Sequence, residues 1–223
     1  MSKNVYLDIG NSYAKWKFQE NYFKVPIDQF ELDKLPRTSK IWLSNVSNII
    51  DFSKTINLSL VKSHATYKSL KNSYNPPHLL GSDRWLAMIA SYEMNSDEGF
   101  IVLDIGTAVT IDLVDNSGLH LGGVIFPGLR KIRNTFDYFP VSKEINTNDI
   151  SRSTKGAWSL GTLDLLVNGI NKKIHDIKVN FPGLKIYLTG GGFEEVEKFL
   201  DFAYYYRENL VLDGLELFAD NMG

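Results

Sequence analysis

The chain has no cysteine. That excludes a disulfide framework, a thiolate nucleophile and any cysteine-ligated metal. No apolar run approaches the roughly 18 residues that a spanning helix needs, and the opening MSKNVYLDIG lacks the apolar core of a signal peptide. A net charge of −2, with no basic tail, offers no electrostatic footprint for nucleic acid. These absences lead us to expect a cytoplasmic protein that engages neither nucleic acid nor membrane. The composition is otherwise ordinary for a globular chain, with 43% hydrophobic and 22% charged residues. Its 223 residues allow one large domain or two of about 100 residues each.

One repeat organises the chain. Residues 5–10 read VYLDIG and residues 101–106 read IVLDIG, with Leu-Asp-Ile-Gly identical in both. Each copy runs into a second strand-like stretch, NSYAKWKF after Gly10 and TAVTIDLV after Gly106. Both read as strand, tight Gly turn, strand. An Asp where an apolar strand meets a Gly turn is a poor core residue, because a buried carboxylate needs a partner. Two such sites point to two half-domains presenting carboxylates toward one cleft.

Further strands are expected at 40–44, 57–61, 119–126 and 184–188, and a packed strand at Tyr204–Tyr206. Helices are expected at 47–54, 82–94, 127–136, 154–174 and 193–200. The stripe of the helix at 154–174 is Leu160, Leu163, Leu166, Ile170 and Ile174. Strands alternating with helices imply an α/β fold. With the repeat, the expectation is duplicated ribonuclease-H-like domains with a cleft between them, residues 1–97 and 98–223.

Four clusters carry chemistry. In Asp8-Ile9-Gly10-Asn11-Ser12-Tyr13-Ala14-Lys15, the Gly admits a ligand close to the backbone. Asp8 suits a hydrated Mg²⁺, and Lys15 a phosphate. On its own this stretch reads equally as an ordinary hairpin turn. In Asp104-Ile-Gly-Thr-Ala-Val-Thr-Ile-Asp112, Thr107 can bond phosphate and Asp104 can contact a cation. Thr110 and Asp112 share one strand face there. The block from Tyr74 to Trp85 sets Gly81, Ser82, Asp83 and Arg84 at a helix start. Backbone N–H groups bind anions at such a place, Arg84 can bond bidentately, and Asp83 is the candidate base. Thr189-Gly-Gly-Gly192 forms a strand-to-helix turn open to a flat base. No G-x-x-x-x-G-K-[ST] loop and no protein-kinase catalytic loop is present. His64, His78, His120 and His175 lack zinc-site spacing and read as surface or loop residues.

Taken in order, these clusters resemble the type III pantothenate kinases, of the acetate kinase, Hsp70 and actin superfamily. The resemblance rests on D-x-G-N-S-x-x-K at 8–15, Y-x-x-P-x-x-L-G-x-D-R-W ending at Trp85, and D-x-G-T-A-x-T-x-D at 104–112. It extends through G-G-x-I-x-P-G-L at 122–129, T-x-x-A-x-x-x-G at 154–161 and T-G-G at 189–191. It implies an actin-like ATPase fold and a kinase that transfers phosphate from ATP with Mg²⁺ to pantothenate. Asp8 to Lys15 and Thr107 would bind ATP, with Asp8 reaching Mg²⁺ through water. Asp83 would be the general base on the pantothenate hydroxyl. Tyr74, Gly81, Ser82, Asp83, Arg84 and Thr154 would hold pantothenate, Thr154 from the partner of a homodimer. Asp104 would bind potassium or ammonium. The alternatives are a superfamily kinase with another small acceptor and a non-catalytic nucleotide-binding regulator on the same scaffold.

Overall fold

A computed structural model describes residues 4–37, 40–47, 50–52, 55, 57–142 and 150–222. It divides into two compact units. One holds Met1–Val102, Asp112–Gly122 and Asn209–Gly223; the other holds Leu103–Ile111 and Gly123–Glu208.

The first sheet comprises β1 (Asn4–Ile9), β2 (Tyr13–Phe18), β3 (Asn21–Pro26), β4 (Lys40–Asn45) and β5 (Leu58–Leu60), in the order β3-β2-β1-β4-β5. β2 pairs antiparallel with β1 and β3, while β4 runs parallel to β1 and β5. A ribbon of β6 (Thr66–Tyr67) and β7 (Leu70–Lys71) precedes helix α1 (Ser82–Met94). The second sheet comprises β8 (Phe100–Ile105), β9 (Ala108–Val114), β10 (His120–Pro127), β11 (Lys185–Thr189) and β12 (Tyr205–Tyr206). Its order is β10-β9-β8-β11-β12. Counted from its own first strand, each sheet runs 3-2-1-4-5. The duplicated tetrapeptide therefore marks a duplicated topology, with LDIG at the end of the central strand each time. Helices α2 (Leu129–Arg133), α3 (Thr154–Asn180) and α4 (Leu210–Met222) complete the chain.

The strand patterns follow from position. Central β1 buries Val5, Tyr6, Leu7 and Ile9, so it reads as a nearly continuous apolar run. Val5, Leu7 and Ile9 pack with Ala14, Ile41 and Leu43, flanked by Trp16, Phe18 and Val25. Edge strand β3 leaves Asn21 to Lys24 exposed. Helix α1 buries ten of its 13 residues, so it is covered on more than one side. Its main neighbour is α4, and the contact is close because of Gly214: a Cβ there would collide with the backbone carbonyl of Leu86. Lys17 of β2 adds an ion pair to Glu216 of α4 at 2.5 Å.

Several expectations change. Pro127 closes β10 rather than opening a helix, and α2 begins at Leu129 after Gly128. β10 is an edge strand, where a missing N–H is tolerated. α3 continues to Asn180, stopping just before Pro182. The helix expected at 193–200 is two short 3₁₀ turns, Phe193–Glu195 and Glu197–Phe199, separated by Val196 at φ −126° and ψ −13°. Of the helix expected at 47–54, Ser47 and Ile50–Phe52 are not helical, and residues 48, 49, 53 and 54 lie outside the described residues. The strand at Tyr204–Tyr206 is present as β12, with both of its tyrosines exposed.

Glycine substitutions in α4 and α3 should act oppositely. An exposed helical Gly→Ala ordinarily gains about 0.5–1 kcal/mol. Gly161, in α3, has nothing within 4 Å of a new Cβ, so Gly161→Ala should raise the urea midpoint. Gly214→Ala should lower it by the equivalent of about 1–3 kcal/mol, the range for overpacking. Urea unfolding followed by circular dichroism checks both.

Candidate active site

Asp8 is the penultimate residue of β1 and Asp104 the penultimate residue of β8. Each precedes a Gly turn, and the two turns differ by one residue. The Gly10 amide donates to the carbonyl of Tyr13 at 3.0 Å, whereas the Gly106 amide donates to that of Ala108 at 2.9 Å. The first turn thus leaves room for exposed Asn11 and Ser12, the second only for Thr107. Lys15 lies directly opposite Asp8 in the β1–β2 register, so their side chains share a sheet face.

The neighbour of Asp8 on its other side is Ser44 of β4. Ser44 is buried, and its hydroxyl bonds that of Ser82 at 3.1 Å. Ser82 is the first residue of α1, so this bond ties the helix start to the strand beside Asp8. The loop leading into α1 is held by Ser63, whose hydroxyl donates to the carbonyls of Leu80 and Gly81. Asn72 donates to the carbonyls of His64 and Pro77, and its side-chain oxygen accepts the Tyr74 amide. The Gly81–Asp83 approach is tight, since a Cβ on Gly81 would lie 2.6 Å from Asp83 Oδ1.

Asp83 is partly buried in the first turn of α1. Burial raises its pKa above the ordinary carboxylate value, and the nearby Asp112 charge adds to the rise. The Arg84 amide, which donates to Oδ1 at 2.7 Å, and the Arg84 charge only partly offset it. Arg84 itself points into the protein. Its Nε donates to Asp112 Oδ2 at 2.9 Å and its Nη2 to Asp112 Oδ1 at 2.5 Å. Its Nη1 donates to the Tyr74 hydroxyl at 3.3 Å. Asp112 is 1% exposed and also bonds His120 Nε2 at 2.9 Å. Burial would raise the Asp112 pKa, but the bonds from His120 and Arg84 outweigh it and hold it below the usual value. Tyr74 lies parallel to the His120 ring, with centroids 5.9 Å apart.

One reading from sequence changes: His120 is fully buried, not a surface or loop residue. Thr110 and Asp112 lie two apart on β9 and so share its face, Thr110 partly exposed and Asp112 buried. The signal for Asp112 was present, as the last acid of the 104–112 motif. Nothing local identifies Arg84 as its partner, because 27 residues of chain separate the two positions.

In the second unit the Thr189-Gly-Gly-Gly192 turn packs on the end of β8. The Gly192 amide donates to the Ile105 carbonyl at 2.8 Å. Gly190 has φ +108°, and a Cβ there would collide with the Ile105 carbonyl and with Asp104 Oδ1. Only glycine satisfies both constraints. The Gly128 amide donates to the Thr107 carbonyl at 3.0 Å. Asp104, Thr107, Gly128 and Gly190 are therefore one cluster. Thr154, the first residue of α3, is exposed, and α3 is capped by Ser153, whose hydroxyl accepts the Gly156 amide at 3.1 Å.

The doubled 3-2-1-4-5 sheets, each with an acidic residue before the first turn, define a duplicated ribonuclease-H-like fold. Solved structures agree. A Campylobacter jejuni protein described as a conserved Baf family transcriptional activator is 26% identical, with a TM-score of 0.69 over 98% of both chains. The (R)-2-hydroxyglutaryl-CoA dehydratase component A of Acidaminococcus fermentans shares the fold at 9% identity, with a TM-score of 0.56 over the full length of both. The family model for type III pantothenate kinase matches residues 38–175. The type III pantothenate kinase of Hahella chejuensis is 32% identical over 98% of both chains. That of Marinobacter nauticus is 35% identical over 161 residues, an alignment spanning 70% of this chain and 65% of that protein. The chain belongs to the type III pantothenate kinase family.

The Asp112 and Asp83 carboxylates should respond oppositely to amidation. Asp112→Asn leaves Arg84 buried beside a weakened partner and should cost about 3–5 kcal/mol. Asp83→Asn removes a carboxylate whose pKa is raised by folding, so it should stabilise the protein at neutral pH. Protonation abolishes that penalty as pH falls through the raised folded-state value, so the gain should vanish below about pH 4. Urea midpoints measured from pH 4 to pH 8 test both signs.

Proposed function

We infer that this chain catalyses ATP-dependent phosphorylation of pantothenate to 4′-phosphopantothenate, the reaction of its family and the first step of coenzyme A biosynthesis. It is a phosphotransferase with an alcohol acceptor. One observation supports the division of roles most directly: the Ser44–Ser82 bond, which couples the Asp83 turn to the strand beside Asp8.

Phosphoryl transfer depends mainly on positioning and charge stabilisation. We assign residues 8–15 and Thr107 to the ATP phosphates, with Lys15 opposite Asp8 as the local cation. An alcohol is far less acidic than a carboxylic acid, so Asp83 does not deprotonate pantothenate beforehand. It orients the hydroxyl and takes its proton late. The raised pKa suits that role, because a base works best when its pKa approaches the working pH. Tyr74, Gly81, Ser82 and Arg84 hold pantothenate around it. Arg84 spends its Nε and Nη2 on Asp112, so it meets the substrate through Nη1, alongside the Tyr74 hydroxyl.

Among the described residues no group of three or more His, Cys, Asp or Glu side chains could hold an ion. That fits Mg²⁺, which prefers one or two carboxylates plus phosphate and water over an all-protein cage. Asp8 would hold it through water. Asp104, beside the Ile105 carbonyl, offers the oxygen donors that potassium or ammonium takes. Such cations offset phosphate charge when bound.

The resemblance to the type III pantothenate kinases is what suggests a homodimer, in which exposed Thr154 serves the partner's pantothenate site. A fully active monomer in sedimentation velocity would reject that assignment. Among the described residues no helix is long and apolar enough to cross a membrane, and we assign the enzyme to the cytoplasm, where ATP is at hand.

The rival is a regulator on the same scaffold, as the description of the C. jejuni protein suggests for that protein. A desolvated Asp83 is a costly group in a protein that only binds nucleotide. Coupled ADP release with and without pantothenate decides the matter. Pantothenate-dependent release is expected, and Asp83→Asn should keep ATP binding while losing about 10²-fold or more in turnover. ATP turnover indifferent to pantothenate would reject the reading.

A further inference from the structure

His120 and Asp112 have no part in the roles assigned above, yet both touch the residues that do. An ionised carboxylate only accepts hydrogen bonds, so His120 Nε2 carries the proton in its bond to Asp112. With that bond and two from Arg84, Asp112 accepts three. The other ring nitrogen of His120, Nδ1, is buried and has no hydrogen-bond partner among the described residues. The ring is therefore oriented by Asp112 on one side and by the parallel Tyr74 ring on its face. A phenylalanine would fill the same space without burying an unsatisfied nitrogen. What the histidine adds is the bond to Asp112.

The consequence reaches the acceptor side. Arg84 has five N–H donors, and three are engaged by Asp112 and Tyr74. The Tyr74 hydroxyl accepts from Nη1, which frees its own proton to donate outward. One remaining N–H on Nη1 and the Tyr74 O–H are thus neighbouring donors, the arrangement an oxyanion recognises.

We propose that His120 and Asp112 are positioning residues for pantothenate: acting through Arg84 and Tyr74, they hold these two donors at a fixed spacing for the substrate's carboxylate. This rests on the pantothenate kinase reading.

The test is steady-state kinetics of His120→Phe and His120→Gln alongside the wild-type protein, with urea midpoints. His120→Phe keeps a ring against Tyr74 but loses the bond to Asp112. It should raise KM for pantothenate roughly tenfold, as expected for losing a hydrogen bond to a charged group. Its kcat and KM for ATP should stay within about twofold. His120→Gln places an amide N–H near the position of Nε2 and should return KM for pantothenate to within about threefold of wild type. A merely space-filling His120 would lower the urea midpoint without moving KM for pantothenate in His120→Phe, and that result overturns the proposal. If His120→Phe does not fold, His120→Gln decides: a tenfold rise of KM in a folded protein overturns it. A wild-type protein whose ADP release ignores pantothenate defeats the functional reading and this proposal together. Wild-type pantothenate kinase activity with an unmoved His120→Phe defeats this proposal alone.

Discussion

The ion pair between Arg84 and Asp112 is the interaction on which the proposed acceptor site depends. Both groups are at least nine-tenths buried. Desolvating them is expensive, and the cost is offset because nearly every polar atom finds a partner: two bonds join the charges, His120 adds a third to the carboxylate, and Tyr74 takes another N–H of the guanidinium. A pair satisfied in this way has one good geometry and no close alternative, which is why buried polar networks specify structure more than they stabilise it. Arg84 follows Asp83 directly in α1, so the pair also sets where the proposed base sits. The Asp112 charge that pairs Arg84 helps keep the Asp83 carboxyl above its ordinary pKa. One carboxylate is held low by its partners and its neighbour is held high by burial, and this separation suits one to structure and the other to proton transfer.

The duplication in the fold is real, but the two copies have diverged in use. Asp8 and Asp104 occupy equivalent places at the ends of equivalent strands. Around Asp8 the turn is longer, with two exposed polar residues and a lysine across the sheet. Around Asp104 the turn is shorter, and Gly190 presses against it so closely that no side chain could stand there. The same strand end thus becomes an open, polar loop in one unit and an enclosed, oxygen-lined corner in the other. This asymmetry fits the division of labour we propose between a nucleotide-phosphate loop and a cation site.

Much of this was legible in the chain itself. The repeated LDIG, the apolar runs of the central strands and the proline and glycine punctuation follow from local physics, and α1 was bounded correctly from its pattern alone. Short elements fared worse. The segment at 193–200 carries helix-compatible residues but forms two 3₁₀ turns, because Gly192 is tethered to Ile105 and Val196 leaves helical geometry. Pro127 reads as a helix start and instead closes an edge strand, where its lost N–H harms nothing.

The sequence by itself determined the family, the strand-turn-strand repeat and the residues we propose for the phosphate loops and the base, since each depends on neighbours close along the chain. The tertiary structure alone decided that Arg84 meets Asp112, that His120 is buried behind Tyr74, and that Ser82 is bonded to Ser44. These contacts join residues from different strands, helices and loops. A polar residue in a half-apolar strand looks the same on paper whether it faces water or a buried guanidinium, and only the packing of helix on sheet tells the two apart.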